Sequence, residues 1–286
     1  MMNSTLLSRL NFDDALLQED IDKILHFGDV KEEYSEYRFG TWKNYVLWNG
    51  TGKQKDTLFV GVAGGTLKTE LGRQLEYINS VIEENFHTEK LKMVRANLLQ
   101  DAILVPHRDY VEFKSDAERL ARLHIPIRTD LNSMHSEGGH VFHMRQGEVW
   151  FLDVFNIHSA CNLSSQPRIS LVLDFCLDGA PLESLFKSAL ADAAKQEPML
   201  IEREPADENF LRAIASLKYL INEANYRDIV MLLSRVHFYK DVNQSLIFDW
   251  LIEMCKAQGN QSLVEKSVNF KTYMVKDRVL EQRFDL

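Results

Sequence analysis

The chain changes texture once, near residue 185, and that change restricts the folds open to it more than any single motif does. From about residue 41 to residue 178, short apolar stretches alternate with turns: Tyr45–Trp48, Thr57–Val62, Met93–Leu99, Ala102–Val105, Leu123–Ile127, Glu148–Leu152 and Ile169–Leu173. Many of these residues are β-branched or aromatic, and Gly-Gly at 64–65 and 138–139 punctuates them, the pattern of a sandwich or barrel. Helices precede and interrupt it. Asn11 is placed to cap a helix over Asp13–His26 that stops at Gly28. Leu71, Leu75, Ile78 and Ile82 form an amphipathic stripe, and Ser115 with Glu118 has the spacing of a capping box. After Pro181 the period becomes helical. One stripe is Phe210, Ile214, Leu217 and Leu220, and a second is Ile229, Leu232, Leu233 and Val236. Leu246, Trp250, Ile252 and Met254 begin a third. The segment Lys195–Asp207, with Pro198 and Pro205, reads as the connection. The expectation is a mainly β core with helical additions over residues 1–185 and a helical C-terminal domain over 186–286.

Composition narrows the function. With 45% hydrophobic and 26% charged residues in 286, the chain can bury a sizeable core and is not a disordered or collagen-like polymer. No run reaches the roughly 18 apolar residues of a spanning helix, and the N-terminus MMNSTLLSRLNFDD lacks the basic and apolar regions of a secretory signal. A net charge of −9 argues against a nucleic-acid partner. Cys161, Cys176 and Cys255 are odd in number and far apart, so they draw neither a disulfide framework nor a metal knuckle. A reducing, cytoplasmic setting is expected.

The residues that carry chemistry begin at Val105-Pro106-His107-Arg108-Asp109-Tyr110. In a strand, residues two apart share a face, so His107 and Asp109 can converge on one point. His158 follows the strand Glu148–Asp153, and Arg168 opens the next one. Two imidazoles and one carboxylate leave adjacent positions on an iron open for O2 and a chelating 2-oxo acid. The planar fork of Arg168 is suited to the distal carboxylate of 2-oxoglutarate. The plainer alternative is a core histidine at 107 and a turn-forming Asp109.

Taken together, these stretches resemble the bacterial free-proline hydroxylases of the proline 3-hydroxylase group, dioxygenases dependent on Fe(II) and 2-oxoglutarate. The resemblance rests on Glu32-Glu33-Tyr34, Gly40-Thr-Trp-Lys-Asn44, Pro106-His-Arg-Asp109, His143 through Asp153, His158-Ser-Ala, and Arg168 with Ser170 and Asp174-Phe175. It continues into Asn225-Tyr-Arg-Asp-Ile and Leu233-Ser-Arg-Val-His237 in the tail. A more distant likeness to the aspartyl/asparaginyl β-hydroxylases covers the β region alone. The resemblance implies a double-stranded β-helix (jelly-roll) core. It also implies iron ligands at His107, Asp109 and His158, and a 2-oxoglutarate anchor at Arg168 with Arg122 in the same pocket. Arg95 corresponds to a binder of the substrate carboxylate, His135 and Arg145 to polar pocket residues, and Trp42 and Tyr34 to lid or pocket residues. Fe(II), 2-oxoglutarate and O2 are the implied cofactor and cosubstrates.

The implied substrate is a free L-amino acid, proline or pipecolate, hydroxylated at C3 or C4 in a peptide natural-product pathway. Free L-lysine is the alternative within the family, for which Asp101, Glu112 or Glu137 could supply an acidic pocket end. A protein hydroxylase of the aspartyl/asparaginyl type, or a jelly roll that has lost its chemistry, are readings of other classes.

Overall fold

Alternation of polar and apolar side chains along the strands yields a sheet with two unlike faces, and this contrast places the site. The computed structural model describes residues 2–28, 30, 35–57, 65–109, 120–188, 197–279 and 282–286. In chain order come β1 (Thr5–Arg9), α1 (Asp14–His26), β2 (Arg38–Asn49), β3 (Leu67–Lys68), α2 (Glu70–Gln74), α3 (Glu76–Asn85) and β4 (Leu91–Leu104). The roll continues with β5 (Leu120–Arg128), β6 (Ser133–Glu137), β7 (His140–His143), β8 (Glu148–Leu152), β9 (His158–Asn162) and β10 (Arg168–Cys176). The C-terminal part holds β11 (Met199–Leu200), β12 (Glu204–Pro205), α4 (Glu208–Ser216), α5 (Tyr226–Tyr239), β13 (Lys240–Asp241), α6 (Leu246–Gln258) and α7 (Gln261–Val275).

The main sheet runs β1-β8-β5-β10-β4-β9-β6-β7-β11, with β2 on the other edge of β4 and β3 on β2. Its pairings are antiparallel, and the long strand β4 turns it into a roll. Leu91 to Leu99 of β4 pair with β10, and Ala102 and Ile103 beyond them pair with β9. Between the two lies Asp101, bent into the left-handed region at φ +42°. Gly40 of β2 faces that bend at φ +83°, where a Cβ would sit 1.9 Å from the Asp101 carbonyl oxygen. Glycine is therefore required at this crossing. The result is the jelly-roll core followed by a helical tail, the mainly β class expected from sequence.

On the outer face Ile169, Leu171, Leu173 and Phe175 of β10 pack with Leu123, Ile125 and Ile127 of β5 and Val94, Ala96 and Leu98 of β4. Leu17, Ile21 and Ile24 of α1 and Ile78 and Ile82 of α3 cover them. Each of the larger side chains contributes roughly 1.5–3 kcal/mol by leaving water. The inner face of the same strands carries Arg168, Ser170, Asp174, Arg122, His124, Arg95 and Asn97. The register aligns Ser170 with Asn97, Val172 with Arg95 and His124, and Asp174 with Arg122. A second cluster unites Tyr226, Leu233, Phe248, Leu251, Phe270 and Tyr273 of the helical tail with Tyr37, Phe39 and Val105 of the roll.

Several local expectations are corrected. The cap of α1 is Asp13, not Asn11: Asp13 Oδ1 accepts from the Ala15 and Leu16 amides at 3.0 and 3.1 Å, and the helix ends at His26. The stripe from Leu71 to Ile82 is two helices, broken at Leu75, whose ψ of 70° interrupts the turn, and its four residues join one core cluster. Met93–Leu99 and Ala102–Val105 belong to one strand, and β1 carries no strong periodic signal. Leu220 and Leu232, 60% and 42% exposed, do not join the tail's core. Residues 58–62 of the expected strand, Gly64, the Ser115/Glu118 capping box, Tyr34 and Glu112 lie outside the described residues. Among the described residues no helix is long and apolar enough to cross a membrane.

Candidate metal centre and active site

Two strand ends build the centre. Past Leu104 the chain stays extended, and the Val105 amide donates to the Tyr37 carbonyl at 2.8 Å. His107 and His158 then form a closed antiparallel pair, each amide donating to the other's carbonyl at 2.9 Å. This brings residues 51 positions apart to a ring separation of 4.4 Å between His107 and His158. Asp109 lies on the same side as His107, with its amide donating to the Val154 carbonyl at 2.9 Å. One donor atom each from His107, Asp109 and His158 lies within 4.8 Å of the others.

The imidazole tautomers follow from backbone contacts. His107 Nδ1 lies 2.7 Å from the Val105 carbonyl and His158 Nδ1 3.0 Å from the Asn156 carbonyl. A carbonyl only accepts, so each Nδ1 carries the proton and each Nε2 presents a bare lone pair. Burial pushes His158 down to about 4, assisted by the neighbouring His107, so it is neutral at neutral pH. Burial pushes Asp109 up, but the Arg122 guanidinium outweighs it and holds the carboxyl well below the usual carboxylate range. Two neutral nitrogens and one carboxylate oxygen, with no other protein donor joining them among the described residues, fit a divalent iron that keeps positions open.

Behind this triad lies a row of cations. Arg122 donates through Nη1 to Asp109 and through Nε to Asp174 at 2.7 Å. Arg95 Nη2 donates to the other Asp174 oxygen at 2.7 Å. Asp174 is 1% exposed. The third arginine differs. Arg168 is buried, and no carboxylate among the described residues lies within ion-pair reach of it; burial draws its pKa down to about 10. Three guanidiniums against Asp109 and Asp174 leave the interior positive before any metal enters.

Unpartnered polar atoms mark the same space. Ser170 Oγ, Asn97 Oδ1, Arg95 Nε, His124 Nδ1 and His135 Nδ1 are buried without hydrogen-bond partners. Buried polar groups are normally paired, so this concentration on one inner face points to a bound polar molecule. His135 stacks on His158 at 5.9 Å, and His124 lies 6.2 Å from His135. Burial first, then the neighbouring cationic groups, keeps both imidazoles well below the usual histidine range, hence neutral.

The structure thus brings His107, Asp109, His158, Arg122, Arg168, Arg95 and His135 together. Arg145 is not among them: it is committed to buried Glu148 and to the Glu197 carbonyl, with its side chain 34% exposed. Trp42 sits half-buried on β2 opposite Leu99 and packs beside Leu104 and Ala160. Of the acids considered for a lysine pocket, Asp101 is exposed at the β4 bend, and Glu137 is consumed by the Asn3 and Ser4 amides and Asn156 Nδ2. The reading from sequence gave no role to Asp174, Ser170 or Tyr37. The alternation of Arg168, Ser170 and Asp174 with Ile169, Leu171 and Leu173 is the signal that points to the first two. Tyr37, whose ring meets His107 edge-on at 5.1 Å, has none.

Comparisons with known proteins extend this picture. Residues 183–282 match the family described as L-proline 3-hydroxylase, C-terminal, and residues 13–177 match the aspartyl/asparaginyl beta-hydroxylase family. The L-proline cis-3-hydroxylase 1 of a Streptomyces species is 35% identical over 290 residues, covering 100% of this chain and 99% of its own. The L-proline cis-3-hydroxylase 2 from Streptomyces is 36% identical over 287 residues, with 100% and 99% covered. The L-proline cis-4-hydroxylase of Rhizobium meliloti (strain 1021) is 32% identical over 278 residues, covering 97% of each chain.

Proposed function

Because the chain belongs to the L-proline hydroxylase family, and is a non-haem iron dioxygenase using Fe(II), 2-oxoglutarate and O2, we propose that it hydroxylates a free proline-like L-amino acid, proline or pipecolate, at C3 or C4. The observation that carries the reading is the convergence of His107 Nε2, His158 Nε2 and an Asp109 oxygen in front of a buried arginine that has no carboxylate partner among the described residues. In this reading His107, Asp109 and His158 hold the metal, which supplies the O2-dependent oxidation coupled to decarboxylation of 2-oxoglutarate.

The chain's own residues do the rest. Arg168 binds the distal carboxylate of the cosubstrate through its fork, and the unpartnered Ser170 hydroxyl donates to the same group. Arg122 holds the Asp109 carboxylate in its charged form and direction, and Asp174 fixes Arg122 in turn. Arg95 and the neutral His135 and His124 offer donors and acceptors to the amino acid, whose carboxylate needs a cation inside the roll. The buried Arg122, Arg168, Ser170 and Asp174 at the back of this face limit water near the reacting carbon. We assign the reaction to the core, residues 1–185, with residues 186–286 as a helical domain, in a cytoplasmic enzyme of peptide natural-product formation. Lysine ranks below proline, because Asp101 is exposed at the β4 bend and Glu137 is taken up by the Asn3 and Ser4 amides.

The test is aerobic incubation of the Fe(II)-loaded protein with 2-oxoglutarate and each of the twenty amino acids plus pipecolate, measuring succinate and hydroxylated product. Proline or pipecolate is expected to give both in equal amounts. Lysine turning over more than about tenfold faster, a margin of only about 1.4 kcal/mol, reverses the ranking. Succinate formed with no free amino acid oxidised overturns the proposal.

A further inference from the structure

The helical tail reaches the triad through the one residue between two of its members. Two peptide planes join His107 to Asp109, and each has one polar group held by the roll and one held by the tail. In the first plane the His107 carbonyl accepts from the His158 amide at 2.9 Å, while the Arg108 amide donates to the Met274 carbonyl at 3.0 Å. In the second the Asp109 amide donates to the Val154 carbonyl at 2.9 Å, while the Arg108 carbonyl accepts from both Nη1 and Nη2 of Arg278 at 3.1 Å. Arg278 is itself anchored, donating to the Tyr273 carbonyl at 3.3 Å with its guanidinium 5.5 Å from the centre of the Tyr37 ring. Tyr273 is pinned in turn by its hydroxyl, which donates to buried Glu36 at 2.7 Å.

We propose that Arg278 and the end of α7 are positioning elements of the metal centre, so that metal affinity depends on a residue contributed from outside the β core. The proposal rests on reading His107 and Asp109 as ligands. The distance between the two donor atoms is set by the orientation of these two planes. The roll fixes one edge of each plane, which leaves rotation about that edge open. The tail's contacts remove this freedom before a metal arrives. Outer partners that orient ligands are typically worth 10–100-fold in metal affinity.

The experiment is an anaerobic calorimetric titration of the full chain with Mn(II) and with Fe(II), alongside amide hydrogen exchange over residues 105–109. Arg278→Ala is expected to bind either metal about tenfold more weakly and to exchange the Arg108 amide faster. Arg278→Lys keeps the charge but loses the two-pronged donation, and about threefold weakening is expected. Lys271→Ala, which breaks an exposed pair with Asp249 on the tail's surface, is expected to leave both readouts unchanged. Wild-type affinity and protection in Arg278→Ala overturn the proposal, as does wild-type affinity in Arg278→Lys if the alanine variant does not fold. His107→Ala separates the two ideas: if it binds metal as tightly as the wild type, the ligand reading itself fails.

Discussion

Arg168 is predicted to act with opposite signs on stability and on catalysis. It is 6% exposed, and burial draws its pKa down to about 10 with no carboxylate among the described residues to offset it. At about 1.36 kcal/mol per unit, that departure corresponds to a penalty of about 3 kcal/mol for holding the charge inside the ligand-free fold. Burial destabilises the protonated guanidinium and not its neutral base, so the penalty is present in full at neutral pH and is relieved only as pH rises past about 10. Arg168→Met, of similar length and apolar, should therefore raise the Tm of the ligand-free protein, at about 2–4 °C per kcal/mol recovered. The same substitution removes a charged, two-pronged hydrogen bond to the cosubstrate worth about 1.5–3 kcal/mol, so the KM for 2-oxoglutarate should rise by about 10- to 150-fold. Arg168→Lys, a point charge in place of a fork, should raise it less. Differential scanning with and without Mn(II) and 2-oxoglutarate, paired with steady-state kinetics, reads both effects. A lower Tm for ligand-free Arg168→Met, or an unchanged cosubstrate KM with only the amino-acid KM altered, would refute the reasoning and move Arg168 to the substrate.

Other expectations follow from the same geometry. His107→Ala, Asp109→Ala and His158→Ala should each abolish 2-oxoglutarate turnover with a native circular-dichroism spectrum; full turnover in one removes that residue from the triad. Asp174→Asn takes the charge from a carboxylate that holds both Arg95 and Arg122, and should cost about 3–5 kcal/mol in urea unfolding; a loss below about 1 kcal/mol contradicts the pairing. His237, buried with Nε2 2.9 Å from Ser136 Oγ, is pushed down to about 3 by burial. Its neutral form is kept in the fold while the unfolded imidazole takes a proton near pH 6.5. Stability should therefore be lost as pH falls from about 6.5 toward 3, at about 1.4 kcal/mol per pH unit, and His237→Gln should remove that share of the slope. Proline amide should be hydroxylated at a small fraction of the rate of proline, since the unpartnered Arg95 Nε is left without the carboxylate it would hold; equal rates point to a protein substrate.

By itself the sequence determined the class of fold, the change from strands to helices and the shared face of His107 and Asp109. These depend on short-range facts: a period of two in Ile169–Leu173, a period near 3.6 in Ile229–Val236, and the two-residue spacing that gives His107 and Asp109 one face. Glu148–Leu152 emerges as a strand with those same bounds. What only the tertiary structure decided are relations between strands distant in the chain. The pairing of His107 with His158 depends on the register of β4 against β9, which no local pattern encodes. The same holds for the arginines. Arg95, Arg122, Arg145 and Arg168 look alike in the sequence, yet three find carboxylates through cross-strand or turn contacts and Arg168 finds none among the described residues. Helix α1 shows the limit locally, because Asn11 and Asp13 are both competent caps and the site of the first turn depends on where α1 docks against the sheet. The contact of Arg278 with Arg108 spans 170 residues and exists because the apolar faces of the helical tail and of Tyr37, Phe39 and Val105 had nowhere else to be buried together.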